Sequence, residues 1–264
     1  MRRIGAPTPL NVTALALGLA FLYGPILLVI LFSFNDSRLV TVWAGFTLRA
    51  YQGLPENAAL LSALANSLQI ALGSALVATL LGTLAALALV RAGRFLGRGV
   101  FTTLVYVPLV LPEVVTGLAL LLLFVAADFD RGKLSVVIAH VTLTMSFVTL
   151  VVQARLVGFD WSLEDAARDL GASPLRAFLT VTLPLAAPAI LAGFLLAFTL
   201  SLDDVVLASF TSGPGSTTLP MYVFGQARRG VGPEINAIST LLILAVALML
   251  TAATLVAKLR AARG

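Results

Sequence analysis

Cysteine is absent from the 264-residue chain, and histidine occurs once, at His140. The first absence excludes disulfides, iron–sulfur clusters and thiolate zinc sites, and the second disfavours an imidazole-based metal centre. Charge is also scarce: 17 Lys+Arg and 12 Asp+Glu supply only 11% of the residues, against about 25% in an average soluble domain. The only lysines are Lys133 and Lys258, each followed by leucine. A phosphate-binding P-loop ends in Lys followed by Ser or Thr, so this chain carries no such motif and no nucleotide site of that kind.

What remains is apolar. Hydrophobic residues make up 59% of the chain and the mean hydropathy is +1.04. So few charges cannot cover 27.6 kDa in water without leaving large exposed apolar patches. Disorder, a coiled coil and an ordinary cytosolic enzyme are poor fits; lipid is the matching solvent. The net charge of +5 would ordinarily raise nucleic-acid binding. The basic residues are scattered in twos and threes rather than gathered on a stripe, so no nucleic-acid partner is expected.

Crossing the hydrocarbon core takes about 20 apolar residues. Six stretches qualify: 11–34, 64–90, 100–126, 134–157, 185–210 and 235–257. The first exceeds the roughly 7–15 apolar residues of a signal-peptide core and reads as an uncleaved span. With both ends inside the cell, eleven of the basic residues fall on cytoplasmic segments: Arg2 and Arg3, Arg91 to Arg98, Arg155 to Arg176, and Lys258 to Arg263. The other six, Arg38, Arg49, Arg131, Lys133, Arg228 and Arg229, fall outside. The positive-inside bias therefore predicts N-in, C-in, with Arg228 and Arg229 against the trend. No internal repeat or low-complexity linker divides the chain, which reads as one domain over 1–264. Ala78, Gly82 and Ala86 would let the second span pack closely on a neighbour.

The segment 158–184, between the fourth and fifth spans, parses as two short helices. Ser162 with Asp165 resembles a capping box, and Leu163, Ala166, Ala167 and Leu170 fall on one helical face. Gly171 suits the left-handed position that ends a helix, and Ser173-Pro174 suits the start of a second one. That helix offers Leu175, Phe178 and Leu179, and Pro184 is expected to stop it. An amphipathic pair of this kind must bury its apolar face against lipid or against a partner.

The spacing Asp165-Ala166-Ala167, three residues, Gly171, nine residues, Val181-x-Leu183-Pro184 resembles the EAA loop of ABC-importer permeases. Asp165 stands where that pattern has Glu, and Val181 where it has Ile. The resemblance implies an all-α membrane protein of the type I ABC-importer permease fold, with six transmembrane helices and cytoplasmic coupling helices. It also implies that the loop docks in a cleft of a separate ATPase through Glu164, Asp165, Ala166, Ala167, Gly171, Leu183 and Pro184.

A second constellation comprises Ser201-Leu202-Asp203-Asp204, Ser212-Gly213-Pro214-Gly215, Thr217-Thr218-Leu219-Pro220 and Pro233-Glu234-Ile235-Asn236-Ala237. Counted as straight helices at about 1.5 Å per residue, Asp203 and Asp204 lie near the outer end of span five and Glu113 in the outer half of span three. A charge at membrane depth must face a watery cavity or a partner. One of the aspartates could instead cap a helix end, and His140 reads as a hydrogen-bonded packing residue. With Phe34-Asn35, the run Leu39 to Gly45 and Thr116-Gly117-Leu118, these stretches are similar to the spermidine/putrescine family of permeases, although the connection 126–133 is short for it.

That similarity implies a bacterial inner-membrane importer of putrescine or spermidine. It implies a heterodimer with a sister permease, two ATPase subunits that bind ATP and magnesium, and a periplasmic polyamine-binding protein. No cofactor and no catalytic residue are expected on this chain. Glu113, Asp203, Asp204 and Trp43 are the candidate cargo-pathway residues, by charge and by cation–π contact. The competing reading is an ion-gradient-driven secondary transporter or channel for small organic cations, which the carboxylates alone would fit. Such a carrier has no need of an ATPase-docking loop.

Overall fold

The structure, a computed structural model, describes residues 8–37, 42–228 and 232–261. Arg2, Arg3, Arg38, Leu39, Val40, Thr41, Arg229 and Arg263 lie outside the described residues, and so do the side chains of Lys258 and Arg260. The described residues are almost entirely helical, with one isolated antiparallel bridge between Asn35 and Phe46. In chain order the helices are α1 (Pro9–Phe32), α2 (Arg49–Gly53), α3 (Ala58–Arg91), α4 (Arg98–Val110), α5 (Glu113–Ala126), α6 (Lys133–Val157), α7 (Ser162–Asp169) and α8 (Pro174–Ala177). A π-helical turn (Phe178–Thr182) leads into α9 (Leu183–Asp203), followed by α10 (Val206–Thr211), α11 (Leu219–Ala227) and α12 (Pro233–Ala261).

Four helical stretches are long and apolar enough to cross a membrane: Pro9–Phe32, Ala58–Arg91, Lys133–Val157 and Pro174–Asp203. The expected third span, 100–126, is not one straight helix. It breaks at Leu111-Pro112 into α4 and α5, which diverge by 116°, and counts as a fifth span only if the bent pair is taken together. The cause lies in the local sequence: Pro112 cannot donate a backbone hydrogen bond, and its ring pushes Leu111 out of the helical region, to φ −72°, ψ 137°. The expected sixth span falls on α12, whose described apolar part, Pro233–Leu248, is shorter than a full crossing. The expected fifth span, 185–210, ends early at Asp203.

Contacts along the chain sort the helices into two compact units, Ser62–Phe224 and a second formed by Met1–Leu61 with Gly225–Gly264. In the first, α3, α6 and α9 meet through Ala75, Ala78, Ala86, Val148, Val152, Leu156, Ala186 and Ala197. Small residues on α3 let the α6 backbone approach closely. A Cβ on Gly82 would lie 2.7 Å from the Val148 Cβ and 2.8 Å from the Met145 carbonyl oxygen. Backbone at that distance cannot step aside, so Gly82→Ala is expected to cost about 1–3 kcal/mol, as overpacking does. The measurement is a thermal unfolding midpoint in detergent; an unchanged midpoint would show that this helix pair can spread freely.

Threonine hydroxyls within α6 bond back along the helix. The Thr144 hydroxyl donates to the His140 carbonyl and that of Thr149 to the Met145 carbonyl, at 2.7 and 2.8 Å. This is how hydroxyls are carried at membrane depth. Outward faces are apolar: Leu68, Leu72, Leu76 and Leu80 of α3 are all exposed.

In the second unit, α1 leads into a loop organised by buried Asn35. Its Nδ2 donates to the Val42 carbonyl at 2.7 Å, and its Oδ1 accepts from the Ala44 N–H at 2.9 Å. Phe34 stacks on Phe46 and leans on Tyr51, whose hydroxyl pairs with Ser33. Arg49 forms an exposed ion pair with Asp36 at 2.8 Å, and Asn57 donates to Glu234 at 3.0 Å.

Candidate functional site

The loop after α6 is built around one buried acid. Glu164 is 3% exposed. Its Oε1 accepts from Arg91 Nη2, at the end of α3, at 2.6 Å, and its Oε2 accepts from the Thr182 hydroxyl of the π-helical turn. The Arg91 guanidinium lies over the Trp161 ring, 5.1 Å from its centre, and Trp161 meets Phe159 edge-on. Three segments distant in sequence are thus joined by one carboxylate. Burial alone would raise the Glu164 carboxyl; the hydrogen bonds from Thr182 and Arg91 outweigh it and hold the group below the usual carboxylate range.

With Glu164 turned inward, the apolar face of α7 turns outward. Leu163 is 47% and Leu170 91% exposed, and Leu175 and Leu179 beyond them are exposed as well. Ala166 and Asp165 are exposed, and Asp165 is 3.8 Å from Arg168 one helical turn on. The expected capping box is not formed. Trp161 occupies the cap position, Ser162 is already the first helical residue, and its N–H is taken by Asp160 Oδ1 at 3.1 Å. Asp160 thus takes the Ser162 N–H that the Asp165 carboxylate was expected to serve.

Gly171 ends α7 at φ +89°. Its N–H bonds to the Arg168 carbonyl, and that of Ala172 reaches back to Ala167, the paired closure of a Schellman motif. Ser173 caps α8, accepting from the Arg176 N–H at 3.3 Å, with Pro174 first in the helix. Pro184, expected to stop this helix, does not. The chain runs through the π-turn, where the Leu183 N–H bonds to the Phe178 carbonyl, and on into α9 with Pro184 in its first turn. The widened turn absorbs the donor that Pro184 lacks. Leu183 is half-buried and Pro184 exposed.

The second site lies where α9 ends. Asp203 is its last residue and is exposed. Asp204 leaves the helix at φ −65°, ψ 129°, and its Oδ1 accepts from the Ala208 N–H of α10 at 2.9 Å. The same oxygen lies 3.3 Å from His140 Nε2, while His140 Nδ1 meets Ser201 Oγ at 2.6 Å. His140 is 1% exposed. Glu113, exposed at the start of α5, is near enough to Asp204 and Asp203 for their negative charges to act on it. The structure thus brings Glu113, Asp203 and Asp204 together, and gives the two aspartates different tasks. Trp43 belongs to the other unit, where it is half-exposed and packs edge-on against Phe32.

Two partners escaped the reading of the sequence. Arg91 precedes Glu164 by 73 residues and Ser201 follows His140 by 61, and neither pairing leaves a local pattern. The one usable signal was an acid, Glu164, beside the apolar positions of an otherwise exposed short helix.

Residues 78–263 match the family described as binding-protein-dependent transport system inner membrane component. The chain is 52% identical over 248 residues to the putrescine transport system permease protein PotI of Escherichia coli K12, covering 92% of this chain and 88% of that one. It is 41% identical over 239 residues to the spermidine/putrescine transport system permease protein PotC of the same strain, covering 90% of each. Among solved structures, a chain of a bacterial ABC transporter that imports the acidic polysaccharide alginate superposes with a TM-score of 0.69 over 94% of both chains. At 16% identity that likeness speaks for the fold alone.

Proposed function

Because the chain belongs to the binding-protein-dependent transport inner-membrane component family, we propose that it is one permease subunit of an ATP-driven importer that carries polyamines into the cytoplasm. The observation that carries the cargo class is the convergence of Glu113, Asp203 and Asp204 at one end of the α5–α6–α9 unit. A polyamine is a flexible di- or trication. Its path needs negative charge and acceptors but no tight cage, since a permease that held its cargo firmly would not release it.

In this reading the exposed face of α7, with Leu163, Ala166 and Leu170, docks on a separate ATPase, and Glu164 carries its movement to α3 and α9. The chain crosses the bacterial inner membrane six times with both ends inside, and pairs with a sister permease. Two ATPase subunits and a periplasmic polyamine-binding protein complete the machine, and the cofactors ATP and magnesium sit on the ATPase. The two relatives named for putrescine and spermidine/putrescine transport, 52% and 41% identical, support the cargo, and the exposed apolar loop supports the docking.

The test is uptake by the reconstituted complex in vesicles. Labelled putrescine is expected to accumulate only with ATP, and unlabelled putrescine and spermidine are expected to compete where an uncharged diol does not. Accumulation driven by an ion gradient without ATP would overturn the proposal.

A further inference from the structure

His140 is the only histidine in the chain, it is almost fully buried, and neither cargo charge nor ATPase docking uses it. Its ring lies between two side chains of the α9 end. Ser201 Oγ is 2.6 Å from Nδ1, and Asp204 Oδ1 is 3.3 Å from Nε2. The second contact is one of charge and dipole rather than a well-aligned hydrogen bond, since Nε2 makes none of regular geometry. Asp204 as a carboxylate can only accept. The imidazole proton therefore belongs on Nε2, facing Asp204, and Nδ1 accepts from the Ser201 hydroxyl.

This contact sits at a mechanical corner. Asp204 ends α9 and, through the Ala208 N–H, begins α10. α10 in turn packs along α5, with the Phe210 ring lying over Gly117 so closely that a Cβ there would be 2.7 Å from the ring. α5 starts at Glu113. A continuous packed path thus runs from His140 through Asp204 and α10 to Glu113, while Asp203 is set directly by the end of α9.

We propose that His140 is a positioning residue for the cargo. By holding Ser201 and Asp204 it sets the angle between α9 and α10, and with it the separation of the two exposed carboxylates, Glu113 and Asp203. The inference rests on the polyamine reading above. It adds that selectivity for diamine length is governed by a buried group that never touches the cargo.

The two ring nitrogens can be tested separately. Glutamine reaches the position of Nε2 and asparagine that of Nδ1. In the reconstituted complex, His140→Gln is expected to keep a KM for putrescine within about twofold of the parent. His140→Asn, which leaves Asp204 with the Ala208 N–H alone, is expected to raise KM about tenfold, the equivalent of one lost contact of ~1.4 kcal/mol. Its turnover should move far less, and the order of inhibition by four- and five-carbon diamines should change.

A packing role alone would lower yield and turnover in both variants and leave KM and diamine order in place; that result would overturn the proposal. Should the His140 variants fail to assemble, Ser201→Ala decides, with an expected rise in KM of about threefold. An unchanged KM and diamine order in Ser201→Ala would overturn the proposal. ATP-driven uptake by the parent complex is established first, so that failure of the importer reading shows there and not in the variants.

Discussion

Glu164→Ala is expected to cut ATP-driven uptake by about 100-fold in a complex that still inserts. The carboxylate joins α3, α7 and the π-turn before α9, and its removal leaves the Thr182 hydroxyl, itself fully buried, without its acceptor. Breaking a buried pair costs about 3–5 kcal/mol. The Arg91 side chain is 40% exposed and can rehydrate, so the lower end applies. About 3 kcal/mol corresponds to roughly 100-fold in the population of the joined arrangement. Glu164→Gln keeps an acceptor of the same length and should lose far less.

The same contact has an acid limit. A carboxyl held below its usual range in the folded state contributes stability above its unfolded pKa and loses it as pH falls through the folded value. The join is therefore intact at neutral pH and weakens only below the ordinary carboxylate range. The acid loss should be absent from Glu164→Gln. Uptake and ATP hydrolysis measured together from neutral to acid pH check both statements; normal uptake by Glu164→Ala at normal assembly would remove the coupling role.

The second large effect separates two adjacent aspartates. Asp203→Asn is expected to raise the KM for putrescine about tenfold, because it removes one exposed carboxylate from the path. Asp204→Asn keeps an oxygen acceptor for the Ala208 N–H and for His140 Nε2, so it is expected to lower yield and to shift KM only modestly, through the angle between α9 and α10. The Asp204 side chain is only 7% exposed, caps α10 and faces His140, and losing a buried charged acceptor costs about 1–3 kcal/mol. Concentration-dependent uptake, set against the amount of assembled complex, distinguishes them. A KM shift in Asp204→Asn as large as that in Asp203→Asn, with the order of diamine inhibition unchanged, would mean that both touch cargo.

The parts of this molecule legible in its sequence are those decided within one turn of helix. Gly171, Ser173 and Pro174 announce a stop and a start because capping is local. The stretches within α1, α3 and α6 are legible because a hydrophobic run needs no partner to be recognised. The inward turn of Glu164 was not legible, since its partners come from α3 and from the π-turn. Nor was the loss of the Ser162 cap, which depended on competition from Asp160. Pro112 could have signalled an interruption that the reading of 100–126 as one span passed over, but its size of 116° depends on what α4 and α5 pack against, and no pattern records that. The division of labour between Asp203 and Asp204 required the ring of His140, brought up on another helix.

The bend at Leu111-Pro112 has a consequence for the lipid around the protein. At the start of α5 the N–H groups of Glu113 and Val114 have no acceptor within the helix, and no side chain caps them. Hydrocarbon cannot serve such groups, at a cost of several kcal/mol each. In the six-span arrangement proposed above, acyl chains are therefore excluded from that sector of the perimeter, and the elbow is wetted by solvent or sealed by another polypeptide. In that arrangement the annulus of lipid around this subunit is an interrupted ring, with its gap beside Glu113.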